Sequence, residues 1–349
     1  MGKKKIAVIF GGNSLEYKVS LQSAASIFET ISRDKYEIIP IGITREGEWF
    51  HYTGDYKKIS NDTWFNETLC LHSVAVSQNP SVKGFLEFDA DRYRVIKVDA
   101  VFLALHGRNG EDGTVQGLFE VAGIPVVGCN VLSSALCMDK DRAHKLVGLA
   151  GITVPNSITF QFFEMETALL KIETELTYPL FVKPVRAGSS FGITKIYSQK
   201  ELQKAVEIAF EHDSEVIVEE NIDGFEVGCA VLGKEELIVG RVDEIELTSG
   251  FFDYTEKYTL KSSKIHMPAR IDVVTEKRIQ ETAMIIYNAL GCSGFARVDL
   301  FLTPSGDIVF NEVNTIPGFT PHSRYPNMMK GIGLSFPNML DKLIGLYIS

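Results

Sequence analysis

The sequence lacks the patterns that mark several large protein classes. Its five cysteines contain no CxxC pair, which argues against a zinc ribbon or a disulfide framework and predicts free thiols. No apolar run approaches the roughly 20 residues that cross a bilayer, and the run at residues 6–10 is too short for an export signal. Neither a Walker phosphate loop nor the GxGxxG fingerprint of nicotinamide enzymes occurs.

Positive charge is also scarce. The chain has 35 Lys and Arg against 45 Asp and Glu, a net charge of −10, which excludes a general affinity for nucleic acid or for an anionic membrane surface. Its 349 residues suit two or three domains of roughly 100–150 residues each. We therefore expect a soluble cytoplasmic protein whose partners are small molecules.

Alternating strand and helix patterns predict a multidomain protein of the α/β and α+β classes. Apolar runs at residues 6–10, 37–43, 101–105 and 125–127 predict an open, mostly parallel α/β sheet in a domain spanning residues 1–130. Ser20 is expected to cap the helix after the first strand. Residues 131–222 and 223–349 predict two α+β domains, the second with a strand pair at 295–302 and 307–312. Residues 45–97 show no clear pattern.

That strand pair carries the most informative polar residues. Arg297 and Asp299 alternate along one strand, and Glu312 and Asn314 alternate at the end of the next. If the strands pair antiparallel, the acids and the amide converge as oxygen ligands suited to Mg²⁺ shared with phosphate. Arg297 would then stabilise a phosphoryl group or an oxyanion. A salt-bridge ladder on an exposed sheet face is the alternative.

Three loops at predicted strand ends are further candidates. Lys183 leads into a glycine–serine loop at 188–192, which is either an ordinary turn or a loop whose N–H groups approach phosphate. Glu16 follows GGNSL at the carboxyl end of the first strand and would either hold an ammonium group or stabilise a helix N-terminus. His106, followed by several glycines, is either a site residue or a structural histidine.

Residues 248–268 form a long segment without clear periodicity, rich in aromatic and charged side chains. Loops of that length inside a compact domain are usually functional or disordered. The segment is expected to close as a lid that excludes water from a reactive intermediate, with a packed Ω-loop as the alternative.

Together the motifs resemble the ATP-grasp enzymes, and within them the D-alanine–D-alanine ligase family. The resemblance covers nearly the whole chain, through the ordered segments GGNSLE, LHGRNGEDG, MDKDRAHKL, FVKPVRAGSSFG, VEENIDGFE, FDYTEKY, ARVD and NEVNTIPGFTPHSRYP. It implies that residues 131–222 and 223–349 form an ATP-grasp pair with ATP between them and a lid at 248–268. It also implies a homodimer.

The resemblance implies a role for particular residues. Contacts to ATP fall to Lys140, Lys183, Ser190, Glu219, Ile222 and Glu226. Two Mg²⁺ ions are expected to bind to Asp299, Glu312 and Asn314, with Mn²⁺ as a possible substitute for Mg²⁺. The catalytic set is Glu16, Ser189, Lys257, Tyr258, Arg297 and Gly318, and the substrate contacts are His106, Asp243, Ser323 and Arg324.

These roles describe one reaction. Glu16 would orient the ammonium of the first D-alanine, linked through Ser189 to Tyr258 in the lid. The carboxylate attacks the γ-phosphate, and an amine then attacks the resulting acyl phosphate. Arg297 and the Gly318 N–H would stabilise the oxyanion. Lys257 would hold the departing phosphate, while Ser323 would hold the carboxylate of the second substrate.

Two positions bear on the second substrate: Tyr258 favours an amine over D-lactate, and Arg324 favours D-serine over D-alanine. Tyr258 matches the tyrosine of dipeptide ligases, whereas ligases that use D-lactate resemble one another in having histidine there. Arg324 stands where relatives that add D-alanine usually have an apolar residue, and its N–H groups can bond a hydroxyl. It resembles the arginine of the D-alanine–D-serine ligases of vancomycin resistance, of the VanG and VanC types. A buried arginine needs an acidic partner, for which Asp243 is the first candidate and Glu246 the second.

Two departures and three rival functions remain open. Lys18 and Glu220 stand where the family often has an acid and a lysine, which leaves the tilt of Glu16 and one adenine contact undecided. The rivals are a D-alanine–D-alanine ligase, a nucleotide-binding module without activity, and a different ATP-grasp carboxylate–amine ligase. The retained set of Asp299, Glu312 and Asn314 argues against the inactive module.

Overall fold

The computed structural model describes residues 2–188, 191–247 and 263–348. Within this range the strands form three sheets of eight, four and five strands. No helix in the described ranges combines the length and the apolar character needed to span a bilayer.

The first sheet is open and mixed. Its strands are β1 (Lys4–Gly11), β2 (Tyr36–Ile43), β3 (Trp49–Tyr52), β4 (Leu71–Val76), β5 (Gly84–Asp89), β6 (Arg92–Lys97), β7 (Ala100–Ala104) and β8 (Val126–Val127). The order is β6-β5-β4-β3-β2-β1-β7-β8. The pairs among β2, β1, β7 and β8 are parallel. Helices accompany it as α1 (Tyr17–Thr30), α2 (Lys57–Ser60) and α3 (Thr114–Val121).

The second sheet is small and antiparallel, in the order β11-β10-β12-β9. Its strands are β9 (Ser157–Gln161), β10 (Leu180–Pro184), β11 (Thr194–Ile196) and β12 (Glu215–Glu220). The helices of this part of the chain are α4 (Val131–Met138), α5 (Lys140–Leu149), α6 (Met165–Glu175) and α7 (Gln199–Phe210).

The third sheet is also antiparallel, in the order β15-β14-β13-β16-β17. Its strands are β13 (Phe225–Gly233), β14 (Leu237–Leu247), β15 (Ser263–His266), β16 (Gly294–Leu302) and β17 (Ile308–Asn314). The helices that follow β15 are α8 (Val273–Ala289), α9 (Arg324–Lys330) and α10 (Phe336–Gly345).

The hydrophobic cores join the first sheet to the third and leave the second apart. Stacked and tilted rings connect them, with centroid separations of 5.8 Å for Phe102–Phe295, 5.4 Å for Phe295–Phe319 and 6.0 Å for Phe319–Tyr325. The second sheet packs only its own helices α6 and α7 in a separate core. The crevice between this sheet and the rest of the molecule is where ligands can enter.

The structure corrects several expectations. The predicted parallel sheet is present as β2-β1-β7-β8, but the unassigned residues 45–97 extend it with antiparallel strands, so the sheet is mixed. Ser20 does not cap α1, because the helix begins three residues earlier. Its hydroxyl instead accepts from the Gly11 N–H and donates to the Ala104 carbonyl, tying α1 to two strands.

Two further expectations concern the C-terminal half. Most of the predicted lid, residues 248–262, lies outside the described residues, while Ser263–His266 belongs to the third sheet as an edge strand beside β14. The predicted domain limits stay a prediction. Side-chain packing places Cys137, Ala143 and Val147, on α4 and α5, in the core of the third sheet rather than in that of the second.

Candidate functional site

Two adjoining cavities open between the second sheet and the rest of the protein. One, of about 530 Å³, is lined by Glu16 and the start of α1, by Arg297 on β16, by the end of β17, and by the segment after β17. The other, of about 510 Å³, lies between the second and third sheets. Both cavities are lined by Lys140, Ala187 and Glu312. The two cavities therefore adjoin at these three residues, and ligands bound in them would be close together there.

The antiparallel pair β16–β17 brings the predicted polar cluster together. Asp299 lies opposite Glu312, and Arg297 lies opposite Asn314. The guanidinium of Arg297 donates to both oxygens of Asp299 at 2.8 and 2.7 Å. Burial disfavours the charge on Arg297, but Asp299 beside it raises the pKa of the guanidinium above its ordinary value. Because Asp299 is only 1% exposed, this is not a ladder on a solvent-facing sheet.

The donor chemistry of this cluster fits a magnesium site. Asp299 and Glu312 supply carboxylate oxygens on facing strands, and Glu312 opens on both cavities. Asn314 adds an amide, whose Nδ2 donates to Asp299 Oδ2 at 2.8 Å. Among the described residues, no group of three or more His, Cys, Asp or Glu side chains could hold a metal ion, so the set depends on the amide and on oxygens of a bound phosphate.

A second arginine, Arg324, lies buried at the wall of the first cavity. It makes a bidentate pair with Asp243, through Nε and Nη2 at 2.8 Å each. Nη1 donates to Glu226 at 3.0 Å, and Nη2 lies 3.4 Å from Asp299. Asp243 is therefore the acidic partner, as predicted, whereas Glu246 pairs with His266 and Arg270.

The second cavity is lined by residues that the sequence assigned to ATP. Lys183 on β10 forms an ion pair with Glu219 on β12, and Ile222 lies in the connection between the second and third sheets. Burial alone would raise the pKa of Glu219, but Lys183 and His144 lower it. Glu219 Oε1 and His144 Nδ1 are buried 3.8 Å apart without a hydrogen-bond partner, which leaves polar atoms available beside the cavity.

Glu16 directly precedes α1, and its carboxylate lies between Gly107 and Gly188. A Cβ atom at Gly107 would approach Glu16 Oε2 to 2.5 Å, and one at Gly188 would lie 3.5 Å from it. Gly107 also has a positive φ of 71°, which disfavours any other residue. The glycines after His106 therefore leave room for the side chain of Glu16 in the first cavity.

His106 and Ser23 hold the segment that follows β17. His106 Nδ1 lies 2.9 Å from the Ile316 carbonyl and Nε2 lies 3.1 Å from the Ser23 hydroxyl, which accepts from the Phe319 N–H at 3.2 Å. Burial lowers the pKa of His106, which favours a neutral ring that donates to Ile316. This arrangement fixes the backbone on both sides of Gly318.

Glu111 is a site residue that sequence reasoning missed. Its carboxyl accepts from the Gly107 N–H at 2.8 Å and from the Ile316 N–H at 3.3 Å, and it lines the first cavity. Burial, and then the negative charge of Glu16, raise the pKa of Glu111 to about 8. The available signal was its place in the loop after β7, at the edge of the sheet where ligands bind.

The remaining predicted residues divide into two groups. Ser323 lines the first cavity, with its hydroxyl 2.8 Å from Thr320 Oγ1 and accepting from the Thr320 N–H. Glu220, on the second cavity, accepts from the Thr177 N–H at 2.7 Å. Ser189, Ser190, Lys257 and Tyr258 lie outside the described residues, and their roles stay predictions.

Family models cover most of the chain. Residues 5–129 match the model described as "D-ala D-ala ligase N-terminus", and residues 146–345 match "D-ala D-ala ligase C-terminus". The crystal structure of the VanG D-Ala:D-Ser ligase from Enterococcus faecalis is 74% identical, covers 99% of this chain and 100% of that one, and superposes with a TM-score of 0.95.

Curated relatives agree in length and sequence. The vancomycin C-type resistance protein VanC1 of Enterococcus gallinarum is 43% identical over 98% of both chains. The D-alanine–D-alanine ligase of Caldicellulosiruptor bescii is 42% identical over 100% of this chain and 96% of its own. The chain therefore belongs to the D-alanine–D-alanine ligase family of ATP-dependent ligases.

Proposed function

We propose that the protein joins D-alanine to D-serine with ATP, through a D-alanyl phosphate, and releases ADP and phosphate. The observation that carries this choice is Arg324, buried on the wall of the substrate cavity and held by Asp243. The 74% identity to an enzyme named as a D-Ala:D-Ser ligase supports the same choice. The product would supply peptidoglycan precursors with lowered affinity for vancomycin.

The first half-reaction needs a carboxylate beside the γ-phosphate. Glu16 would hold the ammonium of the first D-alanine in the first cavity, while Lys140 and Lys183 would contact the phosphates of ATP in the second. Glu219 and Ile222 would lie at the adenine and Glu226 at the ribose. The substrate carboxylate oxygen attacks the γ-phosphorus, the bond to ADP breaks, and an acyl phosphate forms.

Asp299, Glu312 and Asn314 would hold Mg²⁺ where the two cavities meet, with two ions and replacement by Mn²⁺ as part of the proposal. The bound ion would neutralise phosphate charge during the transfer. Ser190 in the glycine loop and Lys257 in the lid would add phosphate contacts, on the strength of the family resemblance.

The second half-reaction builds negative charge on the carbonyl oxygen. The D-serine amine attacks the carbonyl carbon, loses a proton, and the carbon–oxygen bond to phosphate then breaks. Arg297 and the Gly318 N–H would stabilise the oxyanion, because His106 and Ser23 fix the backbone on both sides of Gly318. Ser323 would bind the carboxylate of D-serine, and Ser189 and Tyr258 would link Glu16 to the closed lid.

Selection of D-serine would depend on Nη1 of Arg324, the guanidinium nitrogen that Asp243 does not bind. Its Nε and Nη2 bind Asp243, and its Nη1 binds Glu226 with one hydrogen. A second hydrogen on Nη1 can be donated to a serine hydroxyl, whereas the methyl group of D-alanine would leave it unpaired. Sites that bond a substrate hydroxyl can reject the analogue without it by ~10⁴-fold or more, although water in the gap would reduce that factor.

The experiment is product analysis by mass spectrometry with ATP, Mg²⁺ and equal D-alanine and D-serine. We expect D-alanyl-D-serine to dominate. Dominant D-alanyl-D-alanine would favour the housekeeping activity, and ATP turnover stimulated only by another acid–amine pair would favour a different ligase. Absence of any amino-acid-stimulated phosphate release would favour an inactive module. We also propose that the protein forms a homodimer, lies in the cytoplasm and has domain limits at residues 130 and 222.

A further inference from the structure

Strand β13 runs directly beneath the guanidinium of Arg324. Glu226 and Gly228 are two residues apart on this strand and therefore share one face of the sheet. Glu226 Oε1 accepts from Arg324 Nη1 at 3.0 Å, and the Gly228 N–H donates to Asp243 Oδ1 at 3.1 Å. Both positions thus contact the Arg324–Asp243 pair from below.

Gly228 is required for space rather than for backbone freedom. A Cβ atom there would lie 2.4 Å from Arg324 Nη2 and 2.7 Å from Asp243 Oδ1. The φ of Gly228 is not positive, so alanine could adopt the same backbone conformation, but its Cβ would clash with the ion pair. The missing side chain at this position therefore leaves the space that the guanidinium of Arg324 and the carboxylate of Asp243 occupy.

Glu226 contacts Nη1, the nitrogen of the Arg324 guanidinium that Asp243 does not bind. Asp243 is fully buried and fixes Nε and Nη2, which leaves Nη1 as the nitrogen that Glu226 orients. Glu226 is also part of the wall of the second cavity, where the nucleotide is proposed to bind. One carboxylate therefore contacts both the specificity arginine and the nucleotide compartment.

We propose that Glu226 and Gly228 are positioning residues that set the pose of Arg324 and so determine the preference for D-serine over D-alanine. The inference rests on the proposed function, because it presumes that Arg324 selects the hydroxyl.

The first test is Glu226→Gln, measured as the ratio of kcat/KM for D-serine to that for D-alanine at saturating ATP. The amide oxygen of glutamine can still accept a hydrogen bond, but the negative charge that holds Arg324 is lost, and this weakening is expected to lower the ratio about tenfold. The control is Glu246→Gln, which removes a carboxylate from the wall of the same cavity that pairs with His266 and Arg270 instead. Its ratio is expected to match that of the wild type.

The second test is Gly228→Ala, which displaces the guanidinium without changing charge. Its ratio is expected to fall at least as far, while Gly345→Ala, at a glycine with no atom within 4 Å of an added Cβ, leaves the ratio unchanged. If Gly228→Ala does not fold, Glu226→Gln still decides. An unchanged ratio in Glu226→Gln overturns the inference, whereas a wild type that makes no D-alanyl-D-serine overturns the proposed function instead.

Discussion

Replacing Arg324 by leucine tests whether the buried ion pair is held as described. The substitution leaves the carboxylate of Asp243, which is 0% exposed, without the bidentate partner at 2.8 Å. Removing one member of a buried pair typically costs about 3–5 kcal/mol, because the remaining charge is uncompensated. That loss corresponds to a factor of roughly 150 to 5,000 in the folding equilibrium.

The double variant Arg324→Leu with Asp243→Asn separates charge from packing. Neutralising the carboxylate is expected to restore about 1–3 kcal/mol, so the two substitutions will not be additive. The assay is urea unfolding followed by circular dichroism. Lys171→Leu serves as control, because its partner Glu175 is 54% exposed and the loss of such a pair costs less than about 1 kcal/mol.

The same variants report on substrate choice. Once the double variant is folded, its leucine faces the first cavity as an apolar surface, and kcat/KM is expected to shift toward D-alanine. If Arg324→Leu proved as stable as the wild type, or if the two substitutions were additive, the buried network would be refuted. An unchanged substrate preference in the folded double variant would remove the basis for choosing D-serine.

Three other predictions follow from the site. The folded-state pKa of Glu111 is raised to about 8, so the stability of the folded protein falls as pH rises toward that value and the carboxyl ionises. In a thermal-shift assay, Glu111→Gln should therefore melt above the wild type at pH 9 but not at pH 5. An equal difference at both pH values would contradict this. Ser23→Ala removes the link between His106 and the Phe319 N–H, and should lower kcat while leaving the KM for ATP unchanged in steady-state kinetics; a raised KM with unchanged kcat would contradict it. Lys183→Met leaves the buried Glu219 unpaired and should cost about 3 kcal/mol in urea unfolding, unlike Lys183→Arg; equal stability of the two variants would argue against the pair.

Residues that combine a local pattern with burial were predictable from the sequence. The apolar run at residues 37–43 and the strand at 295–302 were predicted to within one residue, because continuous or alternating apolar residues define β2 (Tyr36–Ile43) and β16 (Gly294–Leu302). The polar cluster was predicted on the condition that its two strands pair antiparallel, and β16 and β17 do pair in this way. Asp243 was predictable as the partner of Arg324, because a buried guanidinium requires a nearby carboxylate.

What the sequence could not supply depends on contacts between distant segments. Ser20 has the side chain of a helix cap, but bonds to Gly11 and Ala104 hold it inside α1. Glu111 reads as a surface acid until the segment after β17 folds over it. The contact of Glu226 with Arg324 joins residues 98 apart in the chain, and no local pattern encodes it.

The stacked rings of Phe102, Phe295, Phe319 and Tyr325 have a consequence for how the enzyme cycles. They join the first and third sheets in one hydrophobic core, whereas the second sheet has its own core, so a movement between these two parts would change the width of the crevice that holds both cavities. Ala187, in the segment after β10, lines both cavities, so such a movement would widen or narrow the two together.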